Sequence, residues 1–471
     1  MPRRTALLLS IGWALIAAPA PMLAQPGDGL SAEDSLLATQ IFEELIEIPS
    51  VSGTPETVGA AEAMADRLLA AGFPEEDVHV LEPLPDVGIL VARYRGTGER
   101  PPILLLAHLD VVPALPEDWS VPPFELTEQD GWWYGRGTID NKAGAAMLVA
   151  SFLRYREEGF VPDRDLIMVL TGDEETNSEA IKWVVSEEGR ELIDDPAYAL
   201  NTDSGGGSLR EGVETMFGVQ ASEKVYLSFQ LEVTNPGGHS SQPRPDNAIT
   251  TLAEGLVRLS EHEWPVQLNE VTRAFFERSA AIESGQLAED MQAIAENPAD
   301  SAAAARLSES LYLNALLRTT CVATMLEAGH AENALPQTAR ATVNCRILPG
   351  GSPDEVEATL VSVLDDPDIQ VSRLREPTAS PPSPLTDEVL GTIERLTEEM
   401  WPGVPVMPTM STGATDGLYV RNAGIPVYGV GAIFEDTGDN RAHGRDERVA
   451  IDRFYEALRF WYRMVKELAS S

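Results

Sequence analysis

The stretch LLLAHLDVVP, Leu104–Pro113, ends an apolar run with an imidazole and a carboxylate two residues apart. A short, continuous apolar run reads as a strand buried on both faces, which belongs in a parallel sheet covered by helices. In open sheets of that kind, ligands bind at the carboxyl ends of the strands. His108 and Asp110 stand at that end. One histidine there is unremarkable, since His is common at intermediate burial. It gains meaning only from partners elsewhere in the chain.

Working outward, helices and strands alternate from Ser31 to about Val219. AEDSLLATQIFEELIEIPS and PETVGAAEAMADRLLAAGF read as amphipathic helices. DVGILVARYRG and PPILLLAHLD read as strands, and NKAGAAMLVASFLRYREEG as a long helix. RDLIMVLTG is a strand, NSEAIKWVVSEEGREL a helix and YALNTD a short strand. The order predicts an α/β domain with a mixed, mostly parallel sheet and helices on both faces.

Near Val225 the pattern becomes period two. Once the acidic, alanine-rich part between Pro265 and Ala305 is set aside, the order is strand, helix, strand, strand, helix, strand. That is the ferredoxin-like, split βαβ arrangement of an α+β domain. After PTASPPSP the α/β pattern resumes, with the helix LTDEVLGTIERLTEEMW, the strand GIPVYGVG and a last helix, IDRFYEALRFWYRMVKELAS. The expected division is one α/β domain in two pieces, 31–219 and 378–471, with a second domain, 220–377, inserted.

The chain has 471 residues, 43% of them hydrophobic, enough for more than one core. MPRRTALLLSIGWALIAAPAPMLAQ has the positive start, apolar middle and small residues of a secretory leader, expected to span 1–24. The rest would then be exported, periplasmic or secreted, with no membrane contact. A net charge of −41 disfavours nucleic acid and anionic membrane surfaces as partners and otherwise serves solubility. Cys321 and Cys345 could face each other on neighbouring strands, and export permits a disulfide without requiring one.

The partners of His108 lie at other strand ends: Asp140 in GRGTIDNKAG, Glu174 and Glu175 in TGDEET, Asp203 in NTDSGG and His443 in RAHGRDE. Each alone is an ordinary turn, cap or surface residue. Together they form a set of imidazole and carboxylate ligands without thiolate, which suits zinc, with cobalt or manganese as substitutes. His108, Asp140, Glu175, Asp203 and His443 exceed the usual three protein ligands of one open catalytic zinc. They fit two cations sharing a carboxylate.

AHLDVVP, GRGTIDNKAG, TGDEET, NTDSGG, NPGGHSS and RAHGRDE occur in the order found in the M20 metallopeptidases, and the chain resembles that family over almost its whole length. The family includes glutamate carboxypeptidase, carboxypeptidase S and N-acyl-amino-acid hydrolases. The resemblance implies a zinc-exopeptidase-like catalytic domain with an inserted lid or dimerisation domain. It implies that His108, Asp140 and Asp203 hold one zinc, and that Asp140, Glu175 and His443 hold the other. Glu174 would be the general base, and Asp110 would hydrogen-bond His108 and fix its tautomer. His239 in NPGGHSS would stabilise the oxyanion, supplied in dimeric members by the partner subunit. Asn333, Arg346 and the loop around Gly413 would bind the substrate carboxylate.

Many relatives carry an acid after the bridging aspartate, where this chain has Asn141. In the family that peptide bond is commonly cis. Two substrate readings stay open: a carboxypeptidase or dipeptidase, and an N-acyl-amino-acid amidohydrolase. A binding protein without catalysis and a dinuclear phosphoesterase are the readings from other classes. Trp119, Trp132 and Trp133 could line a pocket or serve the core.

Overall fold

The computed structural model describes residues 30–436 and 438–470. The expected leader, 1–24, lies outside the described residues. The larger sheet has ten strands. In space it runs Val78–Leu84, Val87–Tyr94, Leu166–Thr171, Ile103–His108, Tyr198–Asn201, Val427–Gly429, Val213–Glu223, Gly206–Arg210 and Phe434–Asp436, with Val406–Ser411 paired to Val213–Glu223. Leu166–Thr171, Ile103–His108, Tyr198–Asn201 and Val427–Gly429 are mutually parallel; antiparallel pairs extend the sheet on either side, and Val406–Ser411 and Phe434–Asp436 add parallel pairs beyond Val427–Gly429.

The strand Ile103–His108 is buried throughout and divides its side chains between two cores. Leu105 and Ala107 pack with the helices Ala32–Glu47, Lys142–Glu158 and Ile451–Leu468 on one face. Leu104 and Leu106 pack with Ile181, Val184 and Val420 on the other. Each buried leucine is worth about 1.5–3 kcal/mol. A one-residue slip would exchange the two faces, so this packing fixes where His108 emerges.

The lid sheet is antiparallel, in the order Thr320–Ala328, Thr338–Ile347, Val225–Thr234, Ile369–Arg373. Helices Ala248–Glu261 and Pro353–Leu364 supply Leu252 and Leu360 to its core, against Leu227, Phe229 and Val343. This is the ferredoxin-like order expected from the sequence. Cys321 and Cys345 sit directly opposite each other in adjacent strands and are joined by a disulfide.

The helices between Glu270 and Leu317 lie within the inserted segment in sequence but take a different neighbour in space. Phe275, Phe276, Ile294 and Leu307 share a core with Met407 and Met410 of the large sheet. Their apolar face is thus satisfied by the α/β domain. The strand Val406–Ser411 has no clear strand signature in the sequence because Pro408 interrupts it; it pairs along one side only, where proline is tolerated. A small sheet of Thr127–Gln129, Trp132–Tyr134 and Arg448–Ala450 was also unforeseen. Trp133 is buried there against Phe42 and Phe454, while Trp119 and Trp132 lie under Arg136 and Arg448. All three tryptophans therefore pack structurally.

Candidate metal centre

Register assembles the site. His108 is level with Thr171, and Leu106 is level with Asn201, in neighbouring parallel strands. The residues just past those ends, Asp110, Glu174, Glu175 and Asp203, therefore emerge side by side. Asp140 arrives from the turn before the helix Lys142–Glu158, and His443 from the loop before Arg448–Ala450. His443 is held at φ 61°. The Asp140–Asn141 peptide bond is cis, with asparagine in place of the second acid. The Asn141 side-chain oxygen accepts from Thr202 Oγ1 at 2.6 Å.

Asp140 stands between the two imidazoles. Its Oδ1 is 2.9 Å from His108 Nε2 and its Oδ2 is 3.1 Å from His443 Nε2. His443 Nε2 is also 2.9 Å from Glu175 Oε2. Ligand atoms of His108, Asp140 and Glu175 lie within 4.8 Å of one another, as do those of His108, Glu174 and Asp203. All five expected metal ligands converge, with Glu174 among them.

Electrostatics tests whether these residues fit cations. Burial, then the charge of Asp140, pushes Asp203 up to about 8. Burial, then the charge of Asp203, pushes Glu174 well above the usual carboxylate range. Burial also acts to raise Asp140, but hydrogen bonds from His108 and His443 outweigh it and hold Asp140 well below that range. Hydrogen bonds to Asp140 and Glu175 raise His443 to about 10. The cluster concentrates buried negative charge, opposed chiefly by protons on two imidazoles. Divalent cations would replace those protons and relieve the repulsion, so the donor set fits a pair of them.

The supporting contacts correct one expectation. The His108 Nδ1 hydrogen bond runs to the main-chain oxygen of Asp110 at 3.0 Å, with the carboxylate 3.6 Å away. That carboxylate instead accepts the N–H groups of Glu174 and Glu175, each at 3.1 Å. Asp110 thus aims the acidic pair as well as flanking the histidine.

Other supports were missed in the sequence. Asp173 accepts from Glu179 N and Ala180 N, fixing the turn after the Glu pair. Glu447 is fully buried and accepts from the N–H groups of Gly137, Ile139 and Asp140 and from Arg136. The signal for Glu447 was its place in RAHGRDE, four residues after His443.

One cavity between the large sheet and the lid is walled by Glu174, Asp203, His443, Tyr226, Arg346 and Gly413, among others. The Arg346 guanidinium lies 4.6 Å from the Tyr226 ring centroid. Gly413 is on this wall, but its N–H donates to Ser411 Oγ at 3.0 Å and is already engaged. His239 and Asn333 are not on the wall. They are exposed, beside each other on a ribbon pairing Gly238–His239 with Ala334–Leu335.

The sequence pattern of the Peptidase family M20/M25/M40 matches residues 104–467. The human N-fatty-acyl-amino acid synthase/hydrolase PM20D1 is 29% identical, the alignment covering 78% of this chain and 74% of that protein. A probable carboxypeptidase S-like 2 from Dictyostelium discoideum is 29% identical, over 80% of this chain and 74% of its own. The solved M20 metallo-carboxypeptidase of Sulfolobus solfataricus superimposes with a TM-score of 0.67 at 17% identity, over 92% of this chain and 99% of that one, showing a shared fold. With the motifs in order and the ligands in one crevice, the chain belongs to the peptidase family M20/M25/M40 and is a hydrolase of the metallopeptidase and amidohydrolase type.

Proposed function

We propose that the chain is a zinc-dependent hydrolase cleaving an amide bond beside a free carboxylate, in small peptides or N-acyl amino acids. One observation carries this reading: a single cavity holds Glu174, the ligands Asp140, Glu175, Asp203 and His443, and the Arg346 guanidinium. Two zinc ions, held by His108, Asp140 and Asp203 and by Asp140, Glu175 and His443, would supply Lewis acidity and lower the pKa of a water; cobalt or manganese are the substitutes.

Glu174 is the proton carrier. It takes the water's proton and returns it to the leaving nitrogen. The C–N bond breaks, the carbonyl carbon gains the hydroxyl and the nitrogen gains the hydrogen, so no redox partner is needed. Asp110 holds the Glu174 and Glu175 backbone in place for this. Arg346 binds the substrate carboxylate, and its planar fork permits bidentate contact. The carboxypeptidase or dipeptidase form and the N-acyl-amino-acid form share this site, and the name of the human relative favours the second. The test is hydrolysis of N-acyl amino acids and dipeptides by zinc-loaded protein, with Glu174→Gln. The variant should keep its metal and lose roughly 10²–10⁴-fold in kcat. Substantial residual turnover would reject Glu174 as the base.

The same proposal includes a homodimer through the lid. His239 and Asn333 stand outside their own chain's cavity, and the edge strand Thr320–Ala328 exposes Val322, Met325 and Leu326. A second copy would present His239 to the developing oxyanion and Asn333 to the carboxylate. Val322→Asp should shift the sedimentation coefficient to that of a monomer and lower kcat together; a fully active monomer would remove the partner's role. Export is part of the reading too, and N-terminal sequencing of the mature protein tests it. No helix among the described residues is long and apolar enough to cross a membrane.

A further inference from the structure

Asp416 in STGATDG is a buried acid to which the hydrolase reading gives no task. It precedes the helix Gly417–Asn422, where an aspartate side chain ordinarily caps the first turn. Asp416 makes no such bond, and Gly417 N donates instead to Thr415 Oγ1 at 3.0 Å. The carboxylate is turned to another element. Its Oδ2 accepts from Thr171 Oγ1 at 2.5 Å. Its Oδ1 is buried with no hydrogen-bond partner among the described residues. An unpaired buried acceptor costs about 1–3 kcal/mol, whereas a cap bond would stabilise by about 1 kcal/mol. Stability alone therefore does not account for the arrangement.

The bond joins two parts of the crevice. Thr171 ends the strand Leu166–Thr171, level with His108, and its carbonyl oxygen accepts from Leu109 N at 2.7 Å. Glu174 follows three residues on. On the other side, Asp416 closes the loop after the strand Val406–Ser411. Gly413, Ala414 and Thr415 of that loop wall the Arg346 cavity, and Thr412 O accepts from Arg346 Nη1 at 3.2 Å. Glu223 gives the loop a second hold, accepting from Thr415 N at 3.0 Å and from Arg421 Nη1 at 2.6 Å. Neither Thr171 nor Asp416 is on the cavity wall. Burial pushes the Asp416 carboxyl up to about 7. The tie persists in either state, since the neutral acid can donate to the hydroxyl oxygen as the ion accepts from it.

We propose that Asp416 is a positioning residue: its bond to Thr171 fixes the spacing between the loop beside Arg346 and the Glu174 turn, so that a substrate held by its carboxylate presents its amide at the base. The proposal rests on the amide-hydrolase reading above and adds to it a pair that acts through Glu174 and the loop. A misplacement of about 1 Å at a reacting centre costs roughly 10²-fold in rate. Substrate affinity, left to Arg346 and the loop, changes little.

The experiment measures kcat and KM for N-acetyl-leucine and Ala-Leu on zinc-loaded Thr171→Val, which keeps the side chain's shape and removes its hydroxyl. Thr171→Ser, which keeps the hydroxyl, and Asp416→Ala, which reads the same bond from its other side should Thr171→Val fold poorly, accompany it. Thr171→Val should lower kcat by roughly 10–100-fold with KM within about threefold of the parent. Thr171→Ser should restore most of the loss. Combining Thr171→Val with Asp416→Ala should lower kcat no further than either does, since each removes the same bond. In an Arg346→Met background the effect of Thr171→Val should shrink, because a substrate no longer anchored there has no spacing to lose. Zinc content and circular dichroism should match the parent's. Unchanged kcat, a loss of zinc, or an equal effect of Thr171→Val with and without Arg346 would overturn the positioning role while leaving the hydrolase reading intact. A parent protein that cleaves neither compound would reject that reading, and this role with it.

Discussion

Replacing Glu447 by glutamine tests how the Asp140 turn is held. The Glu447 carboxylate accepts from Ile139 N at 2.8 Å and Asp140 N at 3.1 Å on one oxygen, and from Arg136 Nη1 at 2.5 Å and Gly137 N at 3.2 Å on the other. The side chains of Arg136 and Glu447 are 3% and 0% exposed. A glutamine keeps one acceptor oxygen and turns an NH₂ toward the remaining two donors. Breaking a buried ion pair from one side costs about 3–5 kcal/mol, since the other charge is left unpaired. The orphaned Gly137 N–H adds about 1–3 kcal/mol. Two effects oppose this. Arg136 keeps its bond to Gly444 O and its place over Trp119, and repulsion of Glu447 with Asp140 and Glu435 is relieved. The net expectation is a loss of about 3–4 kcal/mol. Metal affinity should fall by about 10–100-fold, as for other residues that orient ligands. Urea denaturation in chelator gives the first quantity, and competition with a chromophoric chelator the second. Arg136→Met in the same background removes the orphaned charge and should recover part of the stability. A Glu447→Gln protein within about 1 kcal/mol of the parent, with unchanged metal affinity, would refute the argument, since a buried charge cannot lose its partner at so little cost.

Arg346→Met should reduce kcat/KM by roughly 10–150-fold, the worth of a hydrogen bond to a charged group, and Arg346→Lys should recover only part of this for want of the fork. Unchanged kcat/KM would take Arg346 out of carboxylate recognition. Lys224 is buried, donates to the Arg318 carbonyl oxygen at 2.8 Å, and is lowered by burial to about 7. Between about pH 7 and 10.5 the unfolded chain therefore binds more protons than the folded one, and stability rises with pH. Lys224→Met removes that component, so its stability relative to the parent should be most favourable near pH 7 and decline toward pH 10; a difference independent of pH in urea melts would contradict the shift. Prolonged chelation should abolish activity, and elemental analysis after zinc reconstitution should give about two ions per chain, as two ligand sets sharing Asp140 require. A single ion with full activity would reject the paired site.

The sequence alone determined the middle of the sheet, because Ile103–His108, Leu166–Thr171 and Tyr198–Asn201 are too apolar to lie anywhere but between two helical layers. It also singled out candidate ligands, since the segments carrying His108, Glu174, Glu175 and Asp203 end at the carboxyl edge of those strands. It also carried the lid's strand order in alternating burial and helix spacing. Tertiary structure decided what depends on distant partners. Glu447 looked like any surface acid until burial brought the Asp140 turn onto it. The Asp110 carboxylate proved to hold the Glu pair, because register rather than adjacency chose its donors. The helices after Glu270 joined the α/β domain, since an amphipathic pattern says that a face is buried without saying against what. Local chemistry is written residue by residue, whereas the choice among equally apolar or equally polar neighbours is made only when the whole chain packs.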